Sequence, residues 1–154
     1  MRSERSGTCC FSGHRPEKIF ESEQKIKTAL LCEIKKSIGE GYTTFISGMA
    51  NGFDLWAANA VIELRKKGAP VALICALPFP GFNRINSGRL TEFANETVCV
   101  CEKYVKSSFS ERNKWMVDRS AKLISYYNGE AGGTRSTVLY AEKSGVRVVN
   151  LFLK

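Results

Sequence analysis

The chain has 154 residues, 44% hydrophobic and 25% charged, which is the composition of an ordinary globular protein and enough length for one domain with a core that needs no staples. Its longest uninterrupted apolar run, residues 71–77, is far too short to span a bilayer, and the polar start Met1-Arg-Ser-Glu-Arg-Ser6 lacks the apolar core of a signal peptide, so a cytoplasmic protein with no membrane association is expected. The net charge of +8 is spread over both halves, which argues against a basic tail.

Periodicity along the chain alternates between strand and helix. Residues 8–12 read as a short strand. Residues 17–38 read as a helix with Ile26, Leu30, Ile34 and Ile38 on one face, ended by Gly39 and Gly41. A strand at 43–47 precedes a helix at 52–67, in which Leu55, Ala58, Val61, Ile62 and Leu64 are apolar and which Gly68 closes. The buried strand 71–76 leads into a rigid loop, Leu77-Pro-Phe-Pro-Gly-Phe-Asn-Arg84, and then into a helix over about 85–95. Strand 97–101, helix 108–121, strand 122–127, helix 136–144 and strand 146–152 complete the series. Such alternation means parallel βαβ units with right-handed crossovers and helices on both faces: an α/β, three-layer Rossmann-like domain with a mostly parallel sheet of about six strands, spanning 1–154 without a repeat or linker.

The six cysteines stand at 9, 10, 32, 75, 99 and 101. Most of these fall in or beside predicted strands, where cysteine acts as a small buried apolar residue. No C-x-x-C occurs, His14 is the single histidine, and neither Cys9-Cys10 nor Cys99-x-Cys101 has ligand spacing, so reduced structural thiols, no metal and no cofactor are expected. Between Lys103 and Lys122 the cations Lys103, Lys106, Arg112, Lys114, Arg119 and Lys122 outnumber Glu111 and Asp118. A face of this kind attracts nucleic acid or a phosphorylated small molecule, or it simply keeps the protein solvated. Phe109, Trp115, Tyr126 and Tyr127 could stack bases, although Trp115 beside Met116 reads equally as core.

Three strand-to-helix junctions carry glycine: Phe11-Ser-Gly-His-Arg-Pro16, Phe45-Ile-Ser-Gly-Met-Ala-Asn-Gly-Phe-Asp54 and Asn128-Gly-Glu-Ala-Gly-Gly-Thr-Arg-Ser-Thr137. One such turn is a connection. Three converge on the carboxyl edge of a parallel sheet, where ligands bind. None is a dinucleotide fingerprint or a Walker loop. Gly132, Gly133 and Thr134 are the first candidates for phosphate contact, through free backbone N–H groups at a helix start, or else they form a tight turn with a Thr cap. Arg15 could pair bidentately with a phosphate or carboxylate, or be a surface arginine fixed by Pro16. His14 could hydrogen-bond a base, act as general acid or orient its loop. Ser47, Gly48 and Met49 line the second turn, and Asp54 is either a capping acid or an acceptor for ribose hydroxyls. Arg112 and Asn113 form a solvated helix start or a ligand contact, and Phe79 and Phe82 stack on a base or plug the core.

Taken together, Ser12-Gly-His-Arg-Pro16, Ser47-Gly-Met-Ala-Asn-Gly-Phe-Asp-Leu-Trp-Ala57, Pro78-Phe79, Arg112-Asn-Lys-Trp-Met-Val-Asp118 and Gly132-Gly-Thr134 resemble the YpsA-like proteins of the SLOG superfamily. That Rossmann-like group includes the DNA-processing protein DprA and the LOG phosphoribohydrolases, and the resemblance covers nearly the whole chain. It implies a nucleotide or nucleotide-derived ligand, such as an ADP-ribose-like molecule, at the carboxyl edge, although the YpsA-like branch has no settled activity. The LOG pattern places an arginine four residues before a methionine, as Arg112 and Met116 do, and a glutamate three residues after the glycine-threonine turn. Thr137 stands at the glutamate position here. Hydrolysis of an N-glycosidic bond calls for a placed carboxylate. Asp54 or Glu130 would have to supply it, so no catalytic residue is assigned. The binding of a small nucleotide-derived molecule leads, with LOG-type hydrolysis and DprA-like binding of single-stranded DNA as alternatives. Aromatics on the helices at 85–95 and 108–121 make self-association an expectation as well.

Overall fold

The computed structural model describes residues 5–153. Six strands, β1 (Thr8–Gly13), β2 (Thr44–Ser47), β3 (Ala72–Leu77), β4 (Glu96–Cys99), β5 (Lys122–Tyr126) and β6 (Arg147–Asn150), form one sheet in the order β4-β3-β2-β1-β5-β6. Every neighbouring pair is parallel. Five helices connect them: α1 (Glu23–Gly39), α2 (Phe53–Lys66), α3 (Arg84–Phe93), α4 (Ser108–Asp118) and α5 (Gly133–Lys143).

Alternate residues of each strand feed two apolar layers, because successive side chains point to opposite faces. Cys9, Phe11, Phe45 and Leu73 pack with Ile26, Leu30 and Ile34 of α1 and Ala57, Val61 and Ile62 of α2. On the other face Cys10, Ile46 and Leu123 pack with Met116 and Val117 of α4 and Val138 and Ala141 of α5. The fold is therefore the three-layer α/β Rossmann-like arrangement that the alternation predicts. The strand order turns back at β1: the chain runs outward from it through β2 to β4 and returns to its other side with β5 and β6. A reversal of that kind opens a crevice above the carboxyl ends of β1 and β5.

Several element boundaries differ from expectation. The first helix begins at Glu23, not residue 17: the Ser22 side chain accepts the Lys25 N–H at 3.4 Å as a cap, while Pro16–Lys18 form a separate one-turn 3-10 helix. The helix expected from residue 136 begins at Gly133, so the glycine turn supplies its first turn, and residues 151–153 are a 3-10 turn in place of the end of a strand. Cys99 is exposed because β4 lies at the sheet's edge, whereas Cys9, Cys10 and Cys75 are buried as expected. All six thiols are free.

Lys122 is the larger correction, since it is wholly buried and not part of a basic surface. At the amino end of β5 its Nζ donates to Glu33 Oε2 at 2.9 Å, Ser37 Oγ at 2.7 Å and Glu40 Oε1 at 3.1 Å. Arg147 pairs with the same Glu40 oxygen at 3.2 Å. This network closes the sheet at the edge opposite the crevice. No helix among the described residues is long and apolar enough to cross a membrane.

Candidate functional site

Above the carboxyl end of β1 lies a cavity of about 280 Å³. Of the residues singled out in the sequence, Ser12, Gly13, His14, Arg15, Asp54, Arg112, Asn113, Gly132, Gly133 and Thr134 line it. Ser47, Gly48, Met49, Pro78 and Phe79 do not.

The first turn is held by close packing. A Cβ on Gly13 would lie 2.4 Å from the Phe53 ring, so only glycine lets α2 begin against the strand. The His14 backbone N–H donates to Tyr126 O at 3.2 Å, and its Nε2 accepts the Asn128 N–H at 3.0 Å. Burial pushes the imidazole pKa down. Because Nε2 accepts a backbone proton, the neutral ring carries its own on Nδ1, and His14 ties the first turn to the third. Arg15 is exposed at the rim, with its guanidinium carbon 6.0 Å from the centroid of the Phe109 ring.

The second turn supports the cavity from behind. The fully buried Ser47 donates through Oγ to Asp54 O at 2.8 Å and accepts the Met49 N–H at 3.2 Å. Met49, at φ 62°, turns its carbonyl to Asn83 Nδ2 at 2.8 Å. Gly48 O accepts from Arg112 Nη1 at 2.6 Å, and a Cβ on Gly48 would lie 2.8 Å from that guanidinium. Arg112 is thus no solvated helix start. It is 4% exposed, it also donates to Ala76 O at 3.3 Å and Asn113 Oδ1 at 2.8 Å, and burial lowers its pKa. Phe79 meets Phe82, Tyr104 and Phe109 edge-on at 5.4 to 5.9 Å, so the ring is part of an aromatic plug, and Pro78 O accepts the Cys101 N–H at 3.1 Å.

The remaining wall is the start of α5. Gly132, at φ 144°, precedes it, no side chain caps it, and its first residues Gly133 and Thr134 face the cavity. Its opening N–H groups have no intrahelical partner, which gives this wall a positive end. Thr137, at the position of the LOG glutamate, turns its hydroxyl back to Gly133 O at 2.8 Å.

Lining residues that the sequence reading did not assign to the site are Glu17, Lys18 and Ala50, while Phe109 was singled out only as an aromatic able to stack. Lys18 Nζ donates to Ala131 O at 2.9 Å beside the α5 turn. Lys18 sits three residues after Arg15 in the 3-10 turn, and the long helix predicted there concealed that placement. The cavity therefore gathers three cations, Arg15, Lys18 and Arg112, with two carboxylates, Glu17 and Asp54.

Asp54 is the most unusual of them. It is 6% exposed, its Oδ1 has no hydrogen-bond partner, and burial pushes its carboxyl up to about 6 against the pull of Arg112, of the Gly13 and Ala50 backbone N–H groups and of Arg15. Among the described residues, no group of three or more His, Cys, Asp or Glu is arranged to hold a metal ion.

The fold is shared with DNA processing protein A (DprA) of Streptococcus pneumoniae, with a TM-score of 0.69 and 17% identity, over 92% of this chain and 48% of that one. It is shared also with DprA of Helicobacter pylori, whose structure is described for its single-stranded DNA binding mode (TM-score 0.65, 18% identity, 92% of this chain and 63% of that one). The chain thus spans about half to under two thirds of these structural relatives. By sequence it is 29% identical to the uncharacterized SPbeta prophage-derived protein YoqJ of Bacillus subtilis, over 78% of this chain and 82% of that protein. Residues 9–145 match the YspA SLOG family, YpsA, and the chain belongs to that family.

Proposed function

We propose that the cavity above β1 and β5 binds a nucleotide or nucleotide-derived small molecule. The observation that carries this reading is the combination of Arg15, Lys18, Arg112 and the uncapped, glycine-led start of α5 around one cavity. Guanidinium and ammonium groups, together with free backbone N–H groups at a positive helix end, are the usual recognition set for a phosphate. The cavity's two carboxylates would repel a second phosphate and suit hydroxyl or amine donors, so a ligand carrying both kinds of group fits better than inorganic phosphate.

Titration calorimetry with adenosine, guanosine, cytidine and uridine monophosphates and with ADP-ribose tests this. At least one should bind the parent protein, and Arg15→Ala and Gly133→Asp, each shown by circular dichroism to be folded, should weaken that binding about tenfold or more. Equal affinity in parent and variants would sink the proposal. Chromatography of the same mixtures tests hydrolysis, because a LOG-type enzyme would release free base. Thr137 offers no carboxylate for that reaction, and of the two proposed to replace it Asp54 lines the cavity and Glu130 does not.

Single-stranded DNA is a second reading, favoured by the fold shared with the Helicobacter protein and by the exposed cations Lys103, Lys106, Lys114 and Arg119. Burial of Arg112 and Lys122 removes two charges from that face. If oligonucleotides bind there, affinity should fall steeply as salt rises.

A further inference from the structure

We propose that Asp54 is a specificity residue that accepts a hydroxyl of the ligand's sugar, so that the site selects ribose over deoxyribose. The inference rests on the nucleotide reading above and deepens it. A carboxylate at 6% exposure with one oxygen unpartnered is costly, and its position at the start of α2 does not account for it, since the helix dipole alone leaves that oxygen without a donor. Ser47 shows the contrast: buried beside it, it satisfies its hydroxyl twice within the second turn.

An ionised carboxylate only accepts hydrogen bonds, so whatever completes Asp54 must donate one. The backbone N–H groups of Gly13 and Ala50 favour its charged form, yet Oδ1 itself has no partner. Arg112 turns its Nη1 to Gly48 O and Ala76 O and its Nε to Asn113 Oδ1, and it forms no ion pair with Asp54 within 4 Å. A phosphate is a poor guest beside this carboxylate, and an apolar group would leave it unpartnered. A hydroxyl fits. Asp54 lines the cavity, so a hydroxyl bound there lies within reach of its carboxylate.

Phosphate at the start of α5 and hydroxyl at Asp54 together describe a ribose phosphate. A site built to hydrogen-bond a hydroxyl rejects the analogue that lacks it, because its own buried polar group is then left unpaired.

The test measures affinity of the parent for ribose 5-phosphate against 2-deoxyribose 5-phosphate, and for each ribonucleoside monophosphate against its 2′-deoxy and 3′-deoxy counterparts. The ribose forms should bind about 10- to 100-fold more tightly than at least one deoxy form, and Asp54→Asn should bring the pair to within about threefold. Equal binding of ribose and both deoxy forms by the parent overturns the assignment of Asp54 while leaving the nucleotide reading intact. Selectivity that persists unchanged in a folded Asp54→Asn protein overturns it too, since the hydroxyl is then read elsewhere. Failure of every sugar phosphate and nucleotide to bind the parent removes the nucleotide reading itself, and the assignment of Asp54 with it. The comparison within the parent stands even if the variant does not fold.

Discussion

Asp54 and Gly48 are where single atoms decide the behaviour of the site. The Asp54 carboxyl holds its proton to about pH 6 in the folded protein, against an ordinary value of 3.8. Its contribution to stability is full below about pH 4 and is lost as pH rises through about 6, because the unfolded chain ionises more readily. Asp54→Asn fixes the neutral form. Thermal melts should find the variant close to the parent near pH 4 and more stable by about 3 kcal/mol at pH 8, and a variant less stable at both would contradict the assignment of cost to this carboxylate. Gly48→Ala should act in the opposite sense. Its new Cβ would lie 2.8 Å from the Arg112 guanidinium, and the hydrogen bond to Gly48 O would have to give. A loss of about 2 kcal/mol in urea unfolding is expected from overpacking and strain.

Among the elements, α5 gives the sharpest local contrast. Gly132 sits at φ 144° with Lys18 Nζ 3.1 Å from any added Cβ, whereas the nearest atom to a Cβ on Gly133 is Asn113 Nδ2 at 3.9 Å. Gly132→Ala should therefore cost about 1–3 kcal/mol, while Gly133→Ala, inside a helix and sterically free, should leave stability equal or raise it by up to about 1 kcal/mol. Denaturant melts of the pair would show whether the turn or the helix sets the requirement for glycine.

These same elements show how much the sequence reveals. The alternation of strand and helix, the three glycine junctions and the convergence of the first and third of them are legible because periodicity and the topology of parallel sheets are local and general rules. Three things were hidden. The break between Lys18 and Ser22 was hidden because Ile19, Phe20 and Glu21 include no glycine or proline to mark it, and only the Ser22 cap divides it. Ser47, Gly48 and Met49 shared a motif with Asp54, yet sequence spacing does not tell a residue that faces a cavity from one that holds its wall. Lys122 read as surface charge, since its partners Glu33, Ser37 and Glu40 lie some eighty to ninety residues away in the chain.

For the whole molecule, the sheet has a polarity of purpose. Its amino edge is closed by the Lys122, Glu33, Glu40 and Arg147 network, and its carboxyl edge is left open and charged. Lys122→Met would leave Glu33, 6% exposed, without its cation, and removal of one partner from a buried pair costs about 3–5 kcal/mol. Chemical denaturation should find a loss of that size. A loss below about 1 kcal/mol would mean that Glu33 finds water or a proton instead.

The open edge is proposed to hold a ribose phosphate. A crystal structure of the protein grown with a saturating ribonucleotide tests it most directly. The account predicts phosphate density at the N–H groups of Gly133 and Thr134 with Arg15 turned towards it, and a sugar hydroxyl within hydrogen-bonding distance of Asp54. A saturated protein with this cavity empty and the nucleotide bound at another surface would contradict it.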